Sequence, residues 1–317
     1  MTADPSDASA ALASELATIL DARHIDHLTR LSGGASRETW RFTADGRQLV
    51  VQLQRAGDER DMGLEASVLR AVESSGTPVA ELVASGVTGS GIAYIVSAAV
   101  EGETIARKIL RDDRFAEARE RLPEQLGVAL ARLHAVDPDG IEGLAEVDQL
   151  ALYREVLDEF GRPHPTFELA FRWLDEHRPP PTRRTLVHGD FRLGNVIVGD
   201  EGLRAVLDWE LAHAGDPMED LGWLCARAWR FGGAGPVAGL GSYEQLFSAY
   251  EAESGLAVDP DVAHWWEVLG SMKWGIMCIG QAETHLSGNV RSHELAAIGR
   301  RVCENEYDVF LALEGRW

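Results

Sequence analysis

The sequence predicts an α+β fold of two lobes: a small N-terminal lobe on an antiparallel or mixed sheet, residues 1–101, and a larger, mainly helical C-terminal lobe, residues 102–317. Three observations carry this. Strand-like runs with apolar alternation, such as QLVVQLQ at 48–54, fall before residue 101. Helical periodicity dominates after it, and the break VEGE at 100–103 separates the two regions. With 317 residues and 45% hydrophobic content, the chain can bury a sizeable core.

In chain order, residues 1–7 read as disordered, and 10–22 as an Ala/Leu-rich helix with Ser9 at its N-cap. The segment LSGGAS at 31–36 lies between strand-like runs at 27–31 and 39–42. Its two glycines let backbone N–H groups approach a phosphate closely, and the same Ser-Gly-Gly is also hairpin-turn chemistry. The strand at 48–54 precedes a helix at 61–74 whose apolar residues are Met62, Leu64, Val68, Leu69 and Val72. A buried strand follows at 92–99. Helices are predicted at 104–111, at 122–136 with Pro123 in the first turn, at 150–161 and at 166–177. The stiff connector RPPP at 178–181 delivers the chain to a short strand. Past residue 222 come a glycine-rich loop at 231–236 and helices at 243–254, 261–287 and 292–313.

Chemistry concentrates in LVHGDFRLGNVIVGDEGLRAVLDWELAHAGDPMEDLG, residues 186–222. Asp190 follows His188-Gly189 and precedes Asn195 by five positions, the Asp-to-Asn spacing of a kinase catalytic loop. A carboxylate there can orient an alcohol and accept its proton, and the amide oxygen of Asn195 can ligate Mg2+ without adding charge. Asp208 ends the apolar run around Val206, and residues 196–207 read as a hairpin turning at GDEG, so Asn195 and Asp208 should emerge side by side. Taken singly, each of the three is ordinary turn or cap chemistry; their joint order favours the functional reading. His188 reads as packing and hydrogen bonding to hold the catalytic loop. Glu210 reads equally as a partner of the metal site or as a solvated carboxylate. Acidic Asp220 suits the start of a helix over 220–230.

His188-Gly189-Asp190 with Asn195, Asp208-Trp209-Glu210 and Gly215-Asp216-Pro217 with Asp220-Leu221 resemble the aminoglycoside phosphotransferase family, a branch of the protein-kinase-like fold. The segments GETIARKILRD, LVHGDFRLGN and AVLDWELAHAGDP are most similar to bacterial phosphotransferase-family proteins related to the kinase domains fused to some acyl-CoA dehydrogenases. The resemblance spans residues 31–317 and implies Asp190 as catalytic base, Asn195 and Asp208 as Mg2+ ligands, and Asp216 and Asp220 as supports of the loop. It also implies ATP or GTP as phosphoryl donor, with Ser32, Gly33, Gly34 and Ser36 over the phosphates and the backbone from Ser97 to Val100 at the adenine edge. In kinases a strand lysine, held by a glutamate of the next helix, reaches the phosphates. This chain has no lysine from residue 1 to 101; Gln52 fills the strand position and Glu65 the helix position. Arg55 is the nearest cation but points to the opposite face of a regular strand.

The expected activity is therefore Mg2+-dependent transfer of a γ-phosphate to a hydroxyl of a small molecule, an aminoglycoside-like antibiotic or a hydroxyacyl-type metabolite. A catalytically weak nucleotide-binding regulator and a choline- or homoserine-type kinase are the alternatives. A formal charge of −21 argues against nucleic acid or an anionic membrane as partner and favours a cationic substrate, unless it is only a solvated surface. The tryptophans Trp223, Trp229, Trp265, Trp266 and Trp274, with Tyr153 and His285, read as core or as an apolar substrate wall. Cys225, Cys278 and Cys303 lack metal or redox spacing, and residues 1–22 contain no signal-peptide pattern, so reduced thiols, a cytoplasmic location and a monomer or homodimer are expected.

Overall fold

The computed structural model describes residues 5–31, 37–55, 57–58, 60–288 and 290–316. Helix α1 (Pro5–Leu20) leads into strands β1 (Ile25–Arg30), β2 (Arg37–Ala44) and β3 (Arg47–Gln54), helix α2 (Met62–Glu73), and strands β4 (Leu82–Val87) and β5 (Ala93–Ala98). The strands form one sheet in the order β1-β2-β3-β5-β4, antiparallel throughout. Alternation along β3 sends Leu49 and Val51 into a core with Leu16, Phe42 and Val96. Val50 and Gln52 face the other way, into a cavity. α2 forms where predicted because Asp61 caps the Gly63 and Leu64 N–H groups and Met62, Glu65, Ala66, Leu69 and Val72 make one buried stripe.

The remainder is mainly helical: α3 (Ala106–Arg111), α4 (Ala116–Leu133), α5 (Gln149–Glu159) and α6 (Pro165–Glu176) precede four short strands. β6 (Thr185–Val187) pairs with β9 (His213–Gly215), and β7 (Val196–Gly199) with β8 (Gly202–Val206). α7 (Met218–Cys225), α8 (Tyr243–Ser254), α9 (Pro260–Leu286), α10 (His293–Gly299) and α11 (Val302–Leu313) complete the chain. The β7–β8 hairpin is held from both sides: Val206 N–H donates to Pro78 O at 2.8 Å, and Val198 and Glu103 exchange backbone bonds at 2.9 and 3.0 Å. Among the described residues no helix is long and apolar enough to cross a membrane, and the three cysteines are free thiols.

Several boundaries differ from the sequence expectation. Helix α1 starts at Pro5, so Ser9 lies inside it rather than capping it, and residues 5–7 are helical. Pro123 lies inside α4, whose polar opening turns bury only Ala118 before Leu122 and so show little periodicity in sequence. The helix expected over 220–230 ends at Cys225, where extended Ala226 leads into a 3-10 turn, Arg227–Arg230. The break turns Trp229 inward, 5.0 Å from Trp223, and leaves Arg227 exposed. The helix expected over 292–313 splits between α10 and α11, and buried Asn305 donates to the Arg301 carbonyl at the break at 2.8 Å.

Candidate active site

The loop after β6 is pinned by α7. Asp220, in the first turn of that helix, accepts the N–H groups of His188 at 2.8 Å and Gly189 at 3.0 Å, and lies 3.1 Å from His134 Nε2. Burial works against the Asp220 charge, but the bond from His134 and the nearby imidazoles and amides outweigh it and hold its pKa below the ordinary carboxylate value. Gly189 has φ of 80°, and a Cβ there would meet Leu211 O at 2.5 Å, so the loop needs glycine at this point. His188 Nδ1 accepts the Asp190 N–H at 3.2 Å, so Nε2 carries the proton and donates to Leu207 O at 2.9 Å. Burial lowers its pKa, which keeps the ring neutral. His188 is thus a clamp between the loop and the end of β8.

Asp190 is fixed by three donors. Trp223 Nε1 donates to Oδ1 at 2.8 Å, Arg192 Nε to Oδ1 at 3.0 Å, and Asn195 Nδ2 to Oδ2 at 2.6 Å. Its side chain keeps 15% of its exposure, enough to meet a reactant. With Asn195 Nδ2 also on Asp190 O at 3.0 Å, the Asn195 amide oxygen is left for another partner. Leu207 N–H donates to Asn195 O at 2.8 Å, which brings Asp208, the next residue, beside Asn195 as the hairpin predicts. Asp208 adopts a left-handed backbone, φ 66°, seldom taken by residues other than glycine. Among the described residues its carboxylate has no hydrogen bond or ion pair; burial, then Glu210, Asp190 and Glu65, push its pKa up to about 7. With only Arg37 nearby to offset three carboxylates, Asp208 is suited to a cation, so with the Asn195 amide oxygen the donor set fits a hard metal. No group of three or more His, Cys, Asp or Glu among the described residues could hold a metal by itself. Further oxygens would have to come from a bound molecule.

The cavity beneath the sheet, about 270 Å3, is lined by Gln52, Glu65, Ser97, Val100 and Asp208 together, with Leu207. Ser32, Gly33, Gly34 and Ser36 lie outside the described residues. The cation that the sequence could not locate near Glu65 is Arg37. Its guanidinium forms a buried ion pair with Glu65 and lies 3.8 Å from Glu210. Burial opposes its charge, yet Glu65 and Glu210 outweigh it and raise the Arg37 pKa. Thr39 pairs with Gln52 across β2 and β3, and period-2 alternation puts Arg37 on the same face as Thr39. That register was the available signal. Arg55 is exposed. Glu210 is mostly buried rather than solvated, and pairs with Arg60 at 2.6 Å.

Lys273 of α9 was also missed. It is 3% exposed, with Nζ 3.2 Å from both Gly189 O and Glu219 Oε1 and 4.8 Å from the Trp223 ring centroid. Burial opposes its charge, but Glu219 leads the groups that hold its pKa above the ordinary lysine value. Nothing in a 27-residue apolar helix marks one lysine as a partner of a loop 84 positions away. Trp223 and Trp229 form a core cluster with Trp274 against it, and Trp223 reaches Asp190, while Trp265 packs with the α5–α6 side chains and edge-on against Trp266.

The same two-lobed, protein-kinase-like architecture is found in solved structures. A protein of Ralstonia eutropha JMP134 superposes with a TM-score of 0.75 at 20% identity, covering 96% of this chain and 98% of that one. Spectinomycin phosphotransferase APH(9)-Ia, solved with ADP and spectinomycin, gives 0.66 at 15% identity over 96% and 98% of the two chains. The model of the phosphotransferase enzyme family, APH, matches residues 27–256, and the chain belongs to that family. Acyl-CoA dehydrogenase family member 11 of Gallus gallus is 27% identical over 308 residues, 86% of this chain and 39% of that protein, so the chain spans about two fifths of this relative's length.

Proposed function

We propose that this phosphotransferase is a small-molecule kinase that moves the γ-phosphate of ATP, or of GTP, to an alcohol. The observation that carries the reading is Asp190, fixed by Trp223, Arg192 and Asn195 while still reachable, with Asn195 in turn bonded to Leu207, the residue before Asp208. Nucleotide would lie between lobes 1–101 and 102–317, in the cavity lined by Gln52, Ser97 and Val100. The ADP in the spectinomycin enzyme supports the donor, and its spectinomycin supports a small-molecule acceptor.

Asn195 Oδ1 and Asp208 would hold Mg2+, which supplies charge neutralisation on the phosphates. Asp190 holds the acceptor hydroxyl and takes its proton at a carboxylate oxygen; its three donors fix its direction before the acceptor arrives. Neutral His188 keeps the loop in register with the end of β8. Arg37, on the cavity face and ion-paired with Glu65, provides the positive charge that Gln52 does not. This weakens the case for a regulator without turnover, whose motive was the absent lysine.

The test is Mg2+-dependent transfer of labelled γ-phosphate from ATP and GTP to hydroxyacyl thioesters, aminoglycosides, macrolides, choline and homoserine. Transfer to one class is expected, lowered by about 10²–10⁴-fold or more in Asp190→Asn with an unchanged melting curve. Near-normal transfer by that variant would overturn the assignment of Asp190.

A further inference from the structure

A second cavity, of about 920 Å3, opens on the helical side between α3, the Arg227–Arg230 turn and α11. Four arginines line it, Arg107, Arg111, Arg227 and Arg301, against two carboxylates, Glu304 and Asp308. Arg227 Nε pairs with Asp308 at 3.2 Å and Arg301 Nε with Glu304 at 3.0 Å. Arg107 and Arg111, one helical turn apart on α3, have no ion-pair or hydrogen-bond partner among the described residues. The groove therefore carries 4 − 2 = +2 in a chain whose formal charge is −21. Two unpaired guanidinium forks on one helix face suit a group with several phosphate oxygens, since each fork can grip two of them.

Two aromatic rings and Arg192 link the groove to Asp190. Phe231 lines the groove, its ring tilted 43° to that of Trp229 at 6.3 Å; Trp229 lies beneath the Arg192 guanidinium at 4.8 Å; Arg192 holds Asp190. We propose that this groove is an anion-binding site for a multiply charged phosphate group, with Arg107 and Arg111 as its principal ligands. The group is either the far end of the acceptor alcohol or a free phosphate compound. The site stands on the groove alone; only its link to the acceptor rests on the proposed kinase activity.

The probe is inorganic pyrophosphate, titrated calorimetrically into the full chain with AMP-PNP and excess Mg2+ present to occupy the nucleotide cavity. Arg107→Ala/Arg111→Ala is expected to weaken binding at least tenfold, while Arg121→Ala/Arg172→Ala, which removes two exposed arginines elsewhere, leaves it unchanged. Circular dichroism melts show whether each variant folds; if the double alanine variant does not, Arg107→Gln and Arg111→Gln singly should each weaken binding. Absence of pyrophosphate binding, or equal binding by all the folded variants, would overturn the site. Competition between pyrophosphate and the acceptor in the transfer assay assigns the group to the acceptor, whereas inhibition without competition assigns it to a free phosphate compound. Absence of transfer with every acceptor would count against the kinase reading and leave the binding result standing.

Discussion

At the scale of single residues, the parts of the site legible in sequence are those set by short chain separation. Asp190 and Asn195 share one loop, and Asn195 and Asp208 are the two ends of a hairpin, so spacing alone predicts their meeting. Arg37 and Lys273 were not legible because each reaches its partner through tertiary packing: one across a strand register and a helix, the other from a helix 84 positions beyond Gly189. Arg37 has measurable consequences. Arg37→Gln leaves Glu65 buried without its cation and should lower stability by about 3–5 kcal/mol in chemical denaturation. Nucleotide affinity should fall with it, and Arg37→Lys should restore part of both. An unchanged midpoint with unchanged nucleotide affinity would show that the pair is dispensable. Asp220 gives a pH signature. Its folded-state pKa lies below the unfolded value of 3.8, so its contribution is complete above that pH and is lost as pH falls below it through the folded value. The stability difference between the parent and Asp220→Asn should therefore shrink below pH 4, the parent losing its advantage; a constant difference would mean that the carboxylate charge contributes nothing.

At the scale of elements, strands with clear alternation and helices with strong caps were read well, because alternation and caps are local, whereas β4 and β9 were not anticipated. α2 has its Asp61 cap, and α8 has a Ser242–Gln245 capping box and the left-handed Gly255 at its end. The misread boundaries lack a local signal of the usual kind. The opening of α4 is too polar to show a stripe, α7 stops where Trp229 turns in beneath the loop, and α10 and α11 divide where Asn305 takes up a carbonyl. The α7–α9 contact positions Asp220 and Lys273 from opposite sides of the loop, and it is close: a Cβ on Gly222 would meet Trp266 Cβ at 2.4 Å and its carbonyl carbon at 2.7 Å. Gly222→Ala should destabilise the protein by about 1–3 kcal/mol through overpacking. Because the shift it forces lies under the Asp190 loop, kcat should fall more than the KM for nucleotide changes. Full activity with parental stability would show that α7 and α9 can separate without disturbing Asp190.

At the scale of the whole molecule, the two-lobed fold was legible from the change in periodicity near residue 101. A net charge of −21 sums over the entire surface, while the α3–α11 groove is locally positive, and a bound group responds to the local field first. The β7–β8 hairpin has a mechanical consequence. One edge is bonded to Pro78 and Val79 after α2, the other to Glu103 before α3, and its tip end carries no share of the five-stranded sheet. A closing of the sheet over the cavity that kept these backbone bonds would pivot about that hairpin, because sliding past it would break bonds on both sides. In such a closing Asn195 and Asp208, at the base of the hairpin, would move least, and Gln52 and Arg37, on the five-stranded sheet, would move most.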